Sequence, residues 1–231
     1  MFAKERIDRI LRKNDRVDEC ACRICLEVEQ KLPDQLFWHD EVIVCSRCRP
    51  LFKEHKKTYN VNGICIHVLY EYDEWIERLF FQYKEQRDVV LKDVFLYNER
   101  DFLKKKLQKY ACIGLCSTEE KRGMRGFEPV IEIFASIGID VYSPFYRLDS
   151  EKQSSLSKGE RKHILHSLKK KKYYPMERKK KPILVDDVLT TGNTVRAALA
   201  LIECREVFVC AAHPLWIQEH KQERVDHKFW K

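Results

Sequence analysis

Two groups of residues in this chain have the types and spacing to do chemistry. The first is Ile183-Leu184-Val185-Asp186-Asp187-Val188-Leu189-Thr190-Thr191-Gly192-Asn193-Thr194, where an apolar run ends in two carboxylates and a hydroxyl-rich turn with one glycine. Ionised carboxylates only accept hydrogen bonds, so Asp186 and Asp187 suit a diol. Threonine hydroxyls and exposed N–H groups at a helix start suit a phosphate, and Gly192 lets the main chain come close to it. A diol plus a phosphate outlines a ribose 5-phosphate. The second group is Cys22-x2-Cys25 and Cys45-x2-Cys48, with 19 residues between the pairs. Two residues between thiols let a tight turn aim both sulfurs at one ion, and four thiolates close the tetrahedron of a structural zinc site. A pair of redox CxxC motifs shows the same spacing. Cys20 competes with Cys22, and His39, His55 and His67 flank the cluster and could each replace a thiolate. The other cysteines, Cys65, Cys112, Cys116, Cys204 and Cys210, sit in apolar surroundings and read as small buried hydrophobes.

The elements that must position these groups follow from hydrophobic periodicity. Asn60 opens a turn into the β-rich run Ile64–Tyr70, and Asp73 is placed to cap a helix. Trp75, Ile76, Leu79, Phe80 and Tyr83 form its apolar stripe, and more helix is expected through Lys109. Tyr110–Leu115 reads as a strand, Phe127–Ser136 as a helix and Val141–Tyr146 as a strand. Pro182–Asp186 is a further strand, and Thr194–Glu203 a helix with Val195, Ala198, Leu199 and Ile202 on one face. Val207–Ala211 is the last strand. Strands alternating with helices imply a parallel sheet covered on both sides.

The chain has 231 residues, 44 Lys+Arg and 36 Asp+Glu, for a net charge of +8, and is 44% hydrophobic. That supplies a core for one or two domains, and 7 Gly, 7 Pro and 11% aromatics exclude collagen-like and disordered classes. The longest stretch without Asp, Glu, Lys or Arg, Thr58–Tyr70, falls well short of the ~20 apolar residues of a membrane span. The start of the chain shows no secretory signal, so a cytosolic location is expected. Between Lys152 and Lys181 twelve basic residues face two acids, leaving the other 201 residues at −2. Lys169, Lys170, Lys171 and Lys172 beside Tyr173 and Tyr174 combine phosphate contacts with rings able to stack on bases, the pattern of sequence-tolerant single-strand binding. The same run also reads as a self-repelling solvated loop, or as a mobile active-site loop whose lysines serve only pyrophosphate.

The Asp186–Thr194 segment resembles the 5-phosphoribosyl-1-pyrophosphate (PRPP) motif of type I phosphoribosyltransferases. The resemblance implies that Asp186 and Asp187 hold the ribose hydroxyls while Thr190, Thr191, Gly192, Asn193 and Thr194 cradle the 5-phosphate. Arg122-Gly123-Met124-Arg125-Gly126-Phe127 is similar to the R-x-x-R-G-F signature of the ComF family of competence proteins. Gln153-x-x-Leu156 with Arg161 resembles that family's Q-x-x-L-x4-R pattern, and Tyr83-Lys84 its Y-K element. The family layout implies a zinc module over 1–60 and a phosphoribosyltransferase-like domain over 61–231. That domain would be an α/β fold, a parallel sheet with helices on both faces, with a basic flexible loop about 147–181. Arg122, Arg125, Gln153 and Arg161 would meet the pyrophosphate, and Mg²⁺ would accompany PRPP. The resemblance further implies a role in DNA uptake for natural transformation: single-stranded DNA bound at the cytoplasmic side, at the inner face of the membrane, with a helicase-like ATPase as partner. The alternative is a Mg²⁺-dependent phosphoribosyltransferase with an unidentified acceptor. Two departures stand out. Glu128-Pro129 follows Phe127 where the family commonly has Asn-Gln, and Thr190 occupies the place where hypoxanthine-type enzymes carry an acidic base. No catalytic residue is legible.

Overall fold

The structure is a computed structural model that describes residues 20–29, 43–147, 168–171 and 180–231. The chain divides into two compact units between Leu51 and Phe52. In the first unit, β1 (Cys20–Ala21) and β2 (Val28–Glu29) pair antiparallel, with Ala21 opposite Val28. A 3-10 turn over Arg49–Leu51 ends the unit.

The second unit opens with a hairpin of β3 (Glu54–Val61) and β4 (Ile64–Glu71). Its two-residue loop is Asn62-Gly63, both at positive φ (54° and 81°), the turn whose twist matches that of the flanking strands. β3 is charge-rich and carries a bulge between Glu54 and Lys57, so no strand was expected there; it nevertheless pairs along β4 as part of the large sheet.

Asp73 caps α1 (Glu74–Lys84), accepting from the Ile76 N–H at 3.0 Å, and Ile76, Leu79, Phe80 and Tyr83 turn inward. The helix expected through Lys109 is interrupted. Arg87 adopts φ 61°, and 3-10 turns at Val89–Asp93 and Tyr97–Glu99 bury Leu91, Val94, Phe95 and Leu96 before α2 (Arg100–Leu107) begins. So many consecutive apolar residues cannot share one helical face, and the irregular path lets each find the core.

β5 (Tyr110–Gly114), α3 (Glu119–Arg125), α4 (Pro129–Ala135) and β6 (Val141–Tyr142) follow. The strand expected over Val141–Tyr146 is split. β7 (Phe145–Arg147) leaves the sheet and pairs antiparallel with β8 (Leu168–Lys170). The chain closes with β9 (Lys181–Leu189), α5 (Asn193–Leu199), β10 (Glu206–Ala212), α6 (Pro214–Glu219) and β11 (Arg224–Val225).

Among the described residues the sheet has seven strands, in the order β11-β3-β4-β10-β9-β5-β6. From β4 to β6 every neighbouring pair is parallel; β3 and β11 add an antiparallel edge. Strand alternation divides the core. Leu184, Val207 and Val209 face a cluster with Val195 and Ala198 of α5 and Trp216 of α6. Phe208 faces the other way, 5.8 Å from the ring of Phe134 on α4. The fold is therefore α/β, with helices on both faces of a mostly parallel sheet. Among the described residues, no helix is long and apolar enough to cross a membrane.

Asp73 also makes the stability of the unit depend on pH. Burial opposes its ionisation, but the Ile76 N–H and the Lys53 ammonium at 3.0 Å outweigh that and hold its pKa below 3.8. A carboxyl depressed on folding contributes stability above its unfolded value, which is lost as pH falls through the folded one. Asp73→Ala should cost about 1 kcal/mol in urea unfolding at pH 7. The gap to wild type should close as pH falls below 3.8.

Candidate functional site

β9 is the middle strand of the parallel run β4-β10-β9-β5-β6, and Ile183, Leu184 and Val185 are fully buried in it. Its neighbour β5 stops at Gly114, opposite Val185, whereas β9 runs on through Asp186 and Asp187 to Leu189. The chain after β5 stays close, with the Leu115 N–H donating to Val185 O at 3.2 Å. Gly114 is required for this packing, because a Cβ there would lie 2.6 Å from Val141 Cγ1. The result is a carboxyl end of the sheet bordered by the segment 115–118 and by the turn 190–194.

Consecutive residues of a strand point to opposite faces. Asp187 therefore shares the face of Ile183 and Val185, on the side of α1, and its carboxylate meets Lys84 Nζ at 2.7 Å. It also accepts from the Val188 N–H at 2.7 Å, while Asp186 accepts from the Asp187 N–H at 3.0 Å. The charge of Asp187 reaches several groups. Burial first, then Glu77 and Asp187, push Tyr72 up to about 12. Burial, reinforced by Asp187, raises the Glu128 carboxyl above its ordinary value despite three hydrogen bonds from Ser117.

The turn beyond β9 is solvent-facing: Thr190, Thr191 and Asn193 are exposed. Gly192 adopts φ 72°, a conformation L side chains rarely take, and precedes the first turn of α5. Thr191 Oγ1 accepts from the Asn193 N–H at 3.4 Å, Arg196 holds Asn193 Oδ1, and the His213 N–H anchors Leu189 O at 2.8 Å. Thr194 stands at the start of α5, partly exposed. These contacts give the turn a defined shape on the solvent side of the sheet's carboxyl end.

The other expected site residues are distributed differently. Arg122 lies exposed on α3, 4.0 Å from Glu119. Arg125 is nearly enclosed: it donates to Lys84 O at 3.1 Å and Ser117 Oγ at 3.5 Å, and it pairs with Glu85. It acts as a strut between the end of α1 and the segment after β5. Lys169 and Lys170 stand exposed on β8, in a strand where a loop was expected, and Lys171 follows with its N–H on Pro144 O at 2.8 Å. Gln153, Arg161, Lys172, Tyr173 and Tyr174 lie outside the described residues. Lys84 and Glu128 were the residues whose part sequence reasoning missed. The Tyr83-Lys84 pair was visible only as a family resemblance, and Glu128 only as a departure; neither carries a local pattern that announces a contact with a distant strand.

In the first unit, Cys22, Cys25, Cys45 and Cys48 bring their sulfurs within 4.8 Å of one another. Cys25 Sγ and Cys45 Sγ are 3.7 Å apart, close to the edge of about 3.8 Å for a tetrahedron with Zn–S bonds of about 2.3 Å. The two knuckles are built by short turns, Leu26 N–H to Cys22 O at 2.8 Å and Cys48 N–H to Cys45 O at 3.1 Å. Burial would raise the Cys22 thiol, but backbone N–H groups, among them Cys45 N at 3.4 Å, bring it down to about 7. Burial and the neighbouring thiols push Cys25 and Cys48 upward. This donor set fits a soft or borderline metal such as zinc. His55 instead pairs with Tyr59 at 2.7 Å, and His67 with Thr58 and Glu206. Cys20 opens β1, and His39 lies outside the described residues.

The Lys84–Asp187 contact can be tested directly. Lys84→Met strands a carboxylate whose side chain is only 13% exposed, and should cost roughly 2 kcal/mol of unfolding free energy, less than a fully buried pair because Lys84 is partly solvated. Asp187→Asn in the same background should recover most of the loss, as read from denaturant midpoints.

A search among curated proteins finds no match to the chain. Residues 125–231 match the phosphoribosyl transferase domain family, a span that runs from Arg125 through Asp186, Asp187 and the threonine turn. With the parallel sheet and the strand–turn–helix at its centre, the second unit carries a phosphoribosyltransferase-type domain, joined in one chain to a four-cysteine cluster.

Proposed function

We propose that the chain binds a ribose 5-phosphate of the PRPP type at the carboxyl end of β9. The observation that carries this reading is a central strand ending in Asp186 and Asp187 and running straight into an exposed threonine turn, within the span that matches the phosphoribosyl transferase domain. Asp186 and Asp187 accept from the ribose hydroxyls, Thr190, Thr191, Gly192, Asn193 and Thr194 surround the 5-phosphate, and Arg122, with Gln153 and Arg161, meets the pyrophosphate. Arg125 supports the site as a strut.

The donors at this end are carboxylate and hydroxyl oxygens, hard ligands that fit Mg²⁺. Lys84 already pairs with Asp187, so ligand oxygens would complete the ion's coordination. Asp186 and Asp187 would hold the ion together with ligand oxygens, and it would neutralise pyrophosphate charge. The four cysteines would hold a structural Zn²⁺ in the module that precedes the domain.

A ComF-type role in DNA uptake for natural transformation builds on the same site. It is favoured by exposed Lys169, Lys170 and Lys171 on and just beyond β8, with Tyr146 directly opposite Lys169 in the hairpin: cations beside a ring. In that role the chain grips single-stranded DNA at the cytoplasmic side, beside a helicase-like ATPase. Phosphoribosyl transfer to an acceptor is the competing use of the site, and it alone releases pyrophosphate.

PRPP with Mg²⁺ at 100 times its Kd should stabilise the chain by about 2.7 kcal/mol, a rise in Tm of roughly 5–10 °C, abolished by Asp186→Ala with Asp187→Ala. No rise at millimolar ligand would remove the ribose-phosphate reading. For DNA, replacing Lys169 to Lys172 by Ala should reduce the slope of log K against log salt by about 0.7 per lysine removed, measured by fluorescence anisotropy on an oligothymidylate.

A further inference from the structure

The opposite end of the sheet holds a second group of metal-ligating side chains. Cys65, near the start of β4, lies directly beside Glu206, the first residue of the parallel strand β10. The C-terminal segment brings His227 to the same place. Cys65 Sγ, a Glu206 carboxylate oxygen and a His227 ring nitrogen all lie within 4.8 Å of one another. All three residues are partly exposed, so an ion can reach them.

Glu206 does not hang freely. His67 Nε2 meets its Oε2 at 2.7 Å, and His67 Nδ1 meets Thr58 Oγ1 at 2.8 Å. A carboxylate can only accept, so His67 donates from Nε2 and takes the Thr58 hydroxyl at Nδ1. His67 is fully buried and is stacked on Phe229 at 4.0 Å, with the His227 ring 5.0 Å away. The chain Thr58–His67–Glu206 is the kind of outer support that orients a ligating carboxylate. It also commits one oxygen of Glu206, leaving the other for a ligand.

We propose that Cys65, Glu206 and His227 form a second metal site, which takes a zinc-type divalent ion and fastens the C-terminal segment to the sheet. One thiolate, one carboxylate and one imidazole make a mixed donor set that suits zinc and excludes Mg²⁺ and Ca²⁺, which want oxygen alone. Bonds of about 2.0–2.3 Å would draw the three ligand atoms closer together than their present spread within 4.8 Å. His227 Nδ1 accepts from the Phe229 N–H at 3.2 Å, a long hydrogen bond that coordination replaces. Three protein ligands leave the fourth position to water.

The test is zinc content of the full chain after zinc loading and desalting, compared with Cys65→Ser and His227→Ala. Each variant should hold about one equivalent less than wild type. Because the difference is read, the result is independent of what the four-cysteine cluster binds. Cobalt supplies a second readout. A chain with Cys22, Cys25, Cys45 and Cys48 all replaced by Ser should keep a single-thiolate charge-transfer band that additional Cys65→Ser removes. Equal metal content in wild type and both variants overturns the site. Should the variants fail to fold, a wild-type cobalt titration that saturates with only a four-thiolate spectrum overturns it equally.

Discussion

An ionised carboxylate inside a sheet must be compensated, and in this protein Asp187 sets that demand. Only 9% of it is exposed, and the Lys84 ammonium at 2.7 Å answers it. Lys84 can do so only because α1 ends at that point. The helix is started by Asp73, held along its length by Ile76, Leu79 and Phe80, and tied at its end by Tyr83 Oη donating to Pro129 O at 3.1 Å. Arg125 grips Lys84 O from the other side and reaches Ser117. The end of α1, the start of α4 and the segment after β5 are thus held around one charge, and the ribose-phosphate reading depends on that arrangement.

The two ends of the sheet have different chemistry for a simple topological reason. Parallel strands put all their carboxyl ends on one edge, where Asp186, Asp187 and the threonine turn gather, and all their amino ends on the other. At the amino edge, parallel pairing sets Cys65 beside Glu206, and the C-terminal segment crosses with His227, Phe229 and Trp230. Hard oxygen donors and hydroxyls occupy one edge. A thiol, a carboxylate and imidazoles occupy the other. The C-terminal segment further docks on α2 through Lys106, whose ammonium binds Lys228 O at 3.1 Å and Lys231 O. That segment carried no periodic pattern in the sequence, yet it completes one face of the core through Phe229.

Much of the α/β unit was legible residue by residue. The Asp73 cap, the buried stripe of α1, the strands at Ile64, Tyr110 and Val207, and the strand–turn–helix at Asp186 to Thr194 are local patterns, and local patterns survive folding. β3 was hidden because an edge strand with a bulge needs little apolar alternation. The irregular path from Arg87 to Glu99 was hidden because a dense apolar run looks helical until its neighbours claim each side chain. Lys169 and Lys170 read as part of a loop because nothing nearby announces the pairing of Leu168 with Arg147.

The sequence alone determined where chemistry could occur: paired CxxC knuckles at a zinc-like spacing, and two acids followed by a threonine turn behind a buried strand. Spacing along the chain is enough when ligand atoms come from one turn or one strand end. Only the tertiary structure decided that Lys84 neutralises Asp187, that Arg125 is a strut, and that Cys65, Glu206 and His227 meet. Lys84 and Asp187 lie 103 positions apart and Cys65 and His227 162, and sheet order, which no local pattern encodes, sets which of them become neighbours.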